Sequence, residues 1–184
     1  MAKTYSNKEM ALIYNKKYNW NVFPVNENKQ PFFSWARFQK DKVTPEMIED
    51  WWDNNPDANI ACATGAISNV AVLDLDCYKD KEGVVEQSLK RYVPHGTNYA
   101  VATTPNGGIH YYFSCIDTKI SNNQDKPHNI DLRANGGYIV LPPSSNGNGK
   151  SYKWVKAPSQ VKMDLLPKPY LDMIAKSVSK RIQT

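Results

Sequence analysis

The chain is poor in cysteine and histidine, with only three of each. Cys62, Cys77 and Cys115 form no C-x-x-C pair, and their number is odd. That argues against a disulfide framework and a cysteine-based zinc site, and it suits a reducing cytosol, so a cytoplasmic protein is expected. Long apolar runs are missing as well. Nothing approaches the roughly 18–20 residues that span a bilayer, and the N-terminus is polar, so neither a membrane segment nor an export signal is expected. There is no internal repeat and no long linker. A phosphate-binding loop is lacking too. Gly149-Lys150-Ser151 imitates the end of one, but the pattern requires glycine where Ser144 stands. It also requires a helix where Tyr152-Lys153-Trp154-Val155 reads as a strand.

What is present is enough for one compact domain with a proper core, given 184 residues and 41% apolar content. The net charge of +5 and a pI near 9.0 are compatible with a polyanionic partner. Twelve prolines, eleven tyrosines and five tryptophans predict many loops and aromatic surfaces.

The most informative stretch is Val70-Ala71-Val72-Leu73-Asp74-Leu75-Asp76. It opens as a buried strand and ends on two carboxylates at i and i+2, which a strand projects from one face. Side by side the two charges repel, unless a cation lies between them. Hard divalent ions such as Mg2+ or Mn2+ take such oxygen ligands, often with substrate phosphates. The plain alternative is a solvated acidic turn running into Cys77-Tyr78-Lys79-Asp80.

Around this strand the pattern is mixed. Ser6 and Glu9 form a capping box for a helix over 7–18, and Thr44-Pro45-Glu46 starts another that ends before Asn55-Pro56. Helices are also predicted over 81–92, despite Gly83, and over 169–181. Strands are predicted at 20–25, 59–63, 99–104, 109–114, 130–133, 138–141 and 151–155. Thr104-Pro105-Asn106-Gly107-Gly108 has the turn chemistry of a β-hairpin. Residues 121–128 read as a polar loop. Phe32 and Trp35 read as a hydrophobic plug beneath the loop that begins at Lys29, and Lys29 itself has the option of facing a phosphate. Lys180 to Thr184 read as a frayed end or as the cut end of a longer chain. Early helices followed by hairpin-rich strands predict an α+β fold.

Two further groups carry chemistry. His110 follows Gly107-Gly108-Ile109, where glycines let backbone approach a ligand and an imidazole can donate to phosphate. Asp131 and Arg133 again share a strand face; the carboxylate can complete a metal site, and the guanidinium can fork onto a phosphate. Either group reads equally as structural or as a surface pair. His95 and His128 have no partners nearby in sequence and are read as structural.

Taken in order, these segments resemble the bifunctional DNA primase/polymerase N-terminal (prim-pol) domain of the archaeo-eukaryotic primase superfamily. The resemblance runs through Trp51-Trp52, Pro56-Asp57-Ala58-Asn59-Ile60, Thr64-Gly65 and Val72-Leu73-Asp74-Leu75-Asp76. It continues through Thr104-Pro105-Asn106-Gly107-Gly108-Ile109-His110-Tyr111-Tyr112-Phe113, Ile130-Asp131-Leu132-Arg133, and Gly136-Gly137-Tyr138-Ile139-Val140-Leu141-Pro142-Pro143-Ser144. It implies metal ligands at Asp74, Asp76 and Asp131 and nucleotide phosphate contact at His110, with Arg133, Ser144 and the Gly107-Gly108 turn at the nucleotide. It implies an RRM-like antiparallel or mixed sheet joined to a smaller α/β unit. On this chain that gives a single domain: an N-terminal unit over about 1–68, a metal-site sheet over about 69–165, and a C-terminal helix over 166–184. The implied activity is template-directed DNA polymerase or primase chemistry in the replication of a mobile element, plasmid or phage. Its cofactor is Mg2+ or Mn2+, its substrates nucleoside triphosphates and a DNA template and primer. A replicative helicase would be a separate chain or a missing C-terminal region. A metal-dependent nuclease, or a non-catalytic DNA- or nucleotide-binding replication module, fits the same residues.

Overall fold

The structure is a computed structural model that describes residues 4–77, 84–125 and 129–182. Gly83, His128 and the predicted helix start at 81–83 lie outside those residues. Helix α1 spans Asn7–Tyr18 and opens on the expected capping box. The Glu9 N–H donates to Ser6 Oγ at 3.2 Å, and the Ser6 N–H donates to Glu9 Oε2 at 2.8 Å. Helix α2 spans Pro45–Asn54, with Thr44 as its cap and proline in the first turn, where its missing N–H costs nothing. Together α1 and α2 bury Ala11, Tyr14, Ile48 and Trp52.

Two antiparallel sheets follow. The smaller has the order β1-β2-β8, formed by Val22–Val25, Asn59–Ala63 and Tyr138–Val140. Pro24 is tolerated in β1 because β1 is an edge strand and need not donate outward. The larger has the order β6-β7-β3-β5-β4-β9. Its strands are β3 Ala71–Leu75, β4 Ala100–Thr103, β5 Ile109–Phe113, β6 Asn123–Asp125, β7 Ile130–Arg133 and β9 Lys153–Lys156. Every ladder is antiparallel.

The α+β class is borne out. The central order β7-β3-β5-β4, with helix α3 (Val84–Tyr92) linking β3 to β4 across β5, is a split βαβ arrangement, as an RRM-like sheet requires. Among the described residues no helix lies between β5 and β7. Instead α4, Lys168–Ile182 at the chain's end, packs beside α3.

Both faces of the larger sheet are covered, which is why β3 reads as a nearly continuous apolar run. Ala71, Leu73 and Leu75 face a core shared with Leu89 and Val93 at the end of α3, and with Tyr170 and Ile174 of α4. Val70 and Val72 face the opposite way. With Ala100, Ala102 and Tyr112 they meet Val22, Ile60 and Cys62 of the smaller sheet and the buried residues of α1 and α2. Each large side chain fully buried here contributes roughly 1.5–3 kcal/mol. Asp74 lies on this second face, between the two sheets.

Several expectations are corrected. Residues 123–125 form edge strand β6 rather than loop, with Gln124 opposite Asp131. Asn-Gln-Asp has no apolar alternation, so only its pairing with β7 makes it a strand. Phe32 is 49% exposed and is no plug. Its neighbour Phe33 packs inward beside Trp51, with ring centroids 4.9 Å apart, while Trp35 stacks on Phe23 at 5.5 Å.

Candidate active site

The register of the larger sheet builds the site. Asp74 of β3 stands opposite His110 of β5 on one side and Asp131 of β7 on the other. The row continues outward to Ala102 and Trp154 beyond His110, and to Gln124 beyond Asp131. The next row holds Arg133, Val72, Tyr112 and Ala100. Directly opposed residues share a face, so three residues distant in sequence become lateral neighbours.

His110 is buried, with 3% of its surface exposed. Its Nε2 lies 3.3 Å from Asp74 Oδ1, and its Nδ1 lies 3.2 Å from the Tyr112 hydroxyl. Arg133 donates to Asp131 Oδ2 at 3.2 Å. Burial pushes the Asp74 carboxyl upward, but the His110 hydrogen bond and the electrostatic influence of His110, Arg133 and Lys29 outweigh it and hold the group below its ordinary value.

The stability consequence has a definite sign. A carboxyl whose folded pKa is depressed contributes stability above its unfolded pKa and loses it as pH falls through the folded one. Wild type is therefore expected to lose more stability than Asp74→Asn between about pH 5 and pH 3. Chemical denaturation across that range tests this, and parallel acid limbs would refute it.

Asp74, His110 and Arg133 open onto a cleft of about 350 Å³. Its other walls come from the smaller sheet and its loops: Lys29 and Gln30 after β1, Trp35, and Tyr138, Ile139 and Val140 of β8, with Tyr152 from before β9. The Lys29 loop is anchored by the Tyr138 hydroxyl, which donates to the Lys29 carbonyl at 2.9 Å. Two cations and an imidazole thus surround one carboxylate. Lys29 is the one of these wall residues with a sequence signal, since its loop left it free to face a phosphate. From sequence Trp35 reads as a plug beneath its loop, Tyr152 as part of a strand, and Tyr138 as part of the stretch over 136–144 that carries the resemblance.

The remaining predicted residues lie elsewhere. Asp76 follows the last residue of β3, is half-buried, and donates its backbone N–H to the Asn129 carbonyl at 3.0 Å. Neither it nor Asp131 is part of the cleft wall, but Asp131 lies beside Asp74 in the sheet. Gly107 and Gly108 form the β4–β5 turn beside that end of β3. Gly107 has φ +86°, and a Cβ at Gly108 would come within 2.8 Å of the Leu75 carbonyl, so both are required by the turn itself. Ser144 is fully buried and accepts the Ile60 N–H on Oγ at 2.8 Å, which ties the chain after β8 to β2. His95 is exposed in the loop after α3.

Among the described residues, no three His, Cys, Asp or Glu side chains are gathered closely enough to hold a metal ion. The donor chemistry is nonetheless right for a hard cation. Asp74 and Asp131 are laterally adjacent oxygen donors, 24% and 27% exposed, and such ions often use one or two carboxylates plus substrate phosphate. The residues fit as a two-carboxylate site, from which Asp76 stands apart.

A split βαβ sheet carrying a carboxylate row beneath a cation-lined cleft is an arrangement suited to handling phosphate esters. The model of the family described as Prim-Pol, the bifunctional DNA primase/polymerase N-terminal domain, matches residues 11–169, and the chain belongs to this family. Membership gives it a primase/polymerase role in nucleotidyl transfer, with DNA and nucleotides as its substrates. No curated protein matches the chain. Among the described residues no helix is long and apolar enough to cross a membrane.

Proposed function

We propose that the chain is the catalytic domain of a template-directed polymerase or primase that extends a primer from nucleoside triphosphates, in the replication of a mobile element, plasmid or phage. The observation that carries this reading is the row His110–Asp74–Asp131 on one sheet face, of which His110 and Asp74 open onto a cleft lined by Lys29 and Arg133. Asp74 and Asp131 would hold Mg2+ or Mn2+ as a two-carboxylate site, and Asp76, one residue beyond β3, would join them only if the bound ion draws it in. Bound there, the ion would supply charge neutralisation at the reacting phosphate and a more acidic primer 3′-hydroxyl. Lys29 and Arg133 would orient the triphosphate tail, Lys29 as a point charge and Arg133 as a fork. His110 borders the same space. A helicase on a separate chain or in a further segment would open duplex template. The test is incubation with primed template, labelled dNTP and Mn2+ or Mg2+, beside unprimed template. Extension only with primer supports a polymerase, and products on both support a primase. DNA cutting without nucleotide would replace this reading by a nuclease.

Template binding should be electrostatic. A net charge of +5 suits roughly two or three phosphate contacts, which on single-stranded DNA predicts about a seven- to eighteenfold affinity loss between 50 and 200 mM salt. Sequence should matter little. Fluorescence anisotropy with unrelated oligonucleotides at several salt concentrations measures both, and tight, salt-independent binding would contradict the electrostatic account.

A further inference from the structure

We propose that Tyr112 is a positioning residue: its hydroxyl donates to His110 Nδ1, which keeps the ring proton on Nε2 and directs it at Asp74. The catalytic consequence rests on the polymerase reading; the proton placement does not. Tyr112 and His110 are at i and i+2 on β5, so both face the same side as Asp74. Asp74 Oδ1 lies 3.3 Å from Nε2, and the Tyr112 oxygen lies 3.2 Å from Nδ1.

Each end of this chain of groups sets the direction of the next. Tyr112 is wholly buried, stacked against Trp20 at 6.2 Å and packed on Trp154 at 4.9 Å. Among the described residues, His110 Nδ1 is the one hydrogen-bond partner of its hydroxyl. Burial pushes the phenol pKa well up, so the oxygen keeps its proton. A buried O–H left without an acceptor is costly, and Nδ1 accepts only as a bare lone pair. The ring proton then belongs on Nε2. The other end agrees: an ionised carboxylate only accepts, so Asp74 favours an N–H facing it. In the opposite tautomer two lone pairs would meet at Asp74, and the Tyr112 oxygen would accept from Nδ1 while its own buried O–H was left without an acceptor. The device fixes one oxygen of Asp74 and leaves the other for a second partner. It parallels the way the second ring nitrogen of a histidine is commonly used to set its tautomer.

The experiment is two-bond 1H–15N correlation NMR of the 15N-histidine-labelled protein, wild type and Tyr112→Phe, with His110 assigned by its absence in His110→Ala. Wild type should show a single Nε2–H tautomer. Tyr112→Phe should show Nδ1–H population or a displaced Nδ1 resonance, with thermal melting confirming the fold. An Nδ1–H ring in wild type overturns the proposal without any variant, as do identical His110 resonances in the two proteins. In primer extension, Tyr112→Phe should lower kcat about three- to tenfold, the loss of one ordinary hydrogen bond, and leave the KM for dNTP unchanged. A raised KM with unchanged kcat would also overturn the positioning role. A wild type that incorporates nothing overturns the polymerase reading, while the spectra still decide the tautomer.

Discussion

Replacing Asp74 with asparagine is expected to reduce templated nucleotide incorporation by about a thousandfold or more. Asp74 is the central member of its row, laterally adjacent to Asp131 and hydrogen-bonded to His110. Asparagine keeps the shape and removes the charge. Cation-held stabilisation of a reacting phosphate supplies several kcal/mol, and each 1.36 kcal/mol is about tenfold in rate. Asp131→Asn should fall on the same scale, because the two oxygen donors act together. Asp76→Asn separates a third ligand from a bystander, since Asp76 lies beyond β3 and outside the cleft wall. The measurement is primer extension over a wide enzyme range, with circular dichroism confirming the fold. Undiminished extension by Asp74→Asn would remove this carboxylate from the site. The melting temperature should fall modestly, because His110, Arg133 and Lys29 favour the anion in the folded protein. That reverses the expectation from sequence, where Asp74 and Asp76 together suggested that their removal relieves repulsion.

That reversal shows which parts of the site a sequence exposes. The Asp-x-Asp pair is visible because strand period alone puts its members on one face. The neighbours that matter most to Asp74 come from other strands. His110 is 36 positions away and Asp131 is 57 positions away, by subtraction of their numbers. Only sheet register makes them adjacent, and register is fixed by which apolar faces are buried. The helices were legible because their signals are local: a capping box at Ser6 and Glu9, and Thr44 followed by Pro45. Strand β8 is legible as a strand, but its place beside β2 is not, since that depends on long-range pairing of Ile139 with Cys62. Ser144 was read from its place in a motif. Its surroundings give it a plainer task, accepting the Ile60 N–H in a buried loop. Tyr112 looked like one more aromatic strand residue, because nothing local tells a phenol packed in a core from one aimed at a histidine.

Exchanging His110 for alanine should cost about ten- to hundredfold in dNTP affinity or in kcat/KM. The range follows from losing a hydrogen bond to a charged group, roughly 1.5–3 kcal/mol. His110 has one N–H, on Nε2 and 3.3 Å from Asp74 Oδ1, and either Asp74 or a bound phosphate tail can take it. Its loss from a phosphate raises the KM for dNTP; its loss from Asp74 lowers kcat, because a carboxylate free to rotate is correctly placed for less of the time. DNA binding should hardly change, since a residue 3% exposed at the cleft floor cannot carry the template's phosphates. In a nuclease the same substitution would slow cutting, and added dNTP would affect neither protein. Steady-state titration of one dNTP in Mn2+, with a DNA-binding curve for each protein, separates these cases. Equal kcat and KM in wild type and His110→Ala would leave His110 with neither duty. A change in KM alone would make it a phosphate contact that does not orient Asp74, and a change in kcat alone would make it an orienting group that the nucleotide never meets.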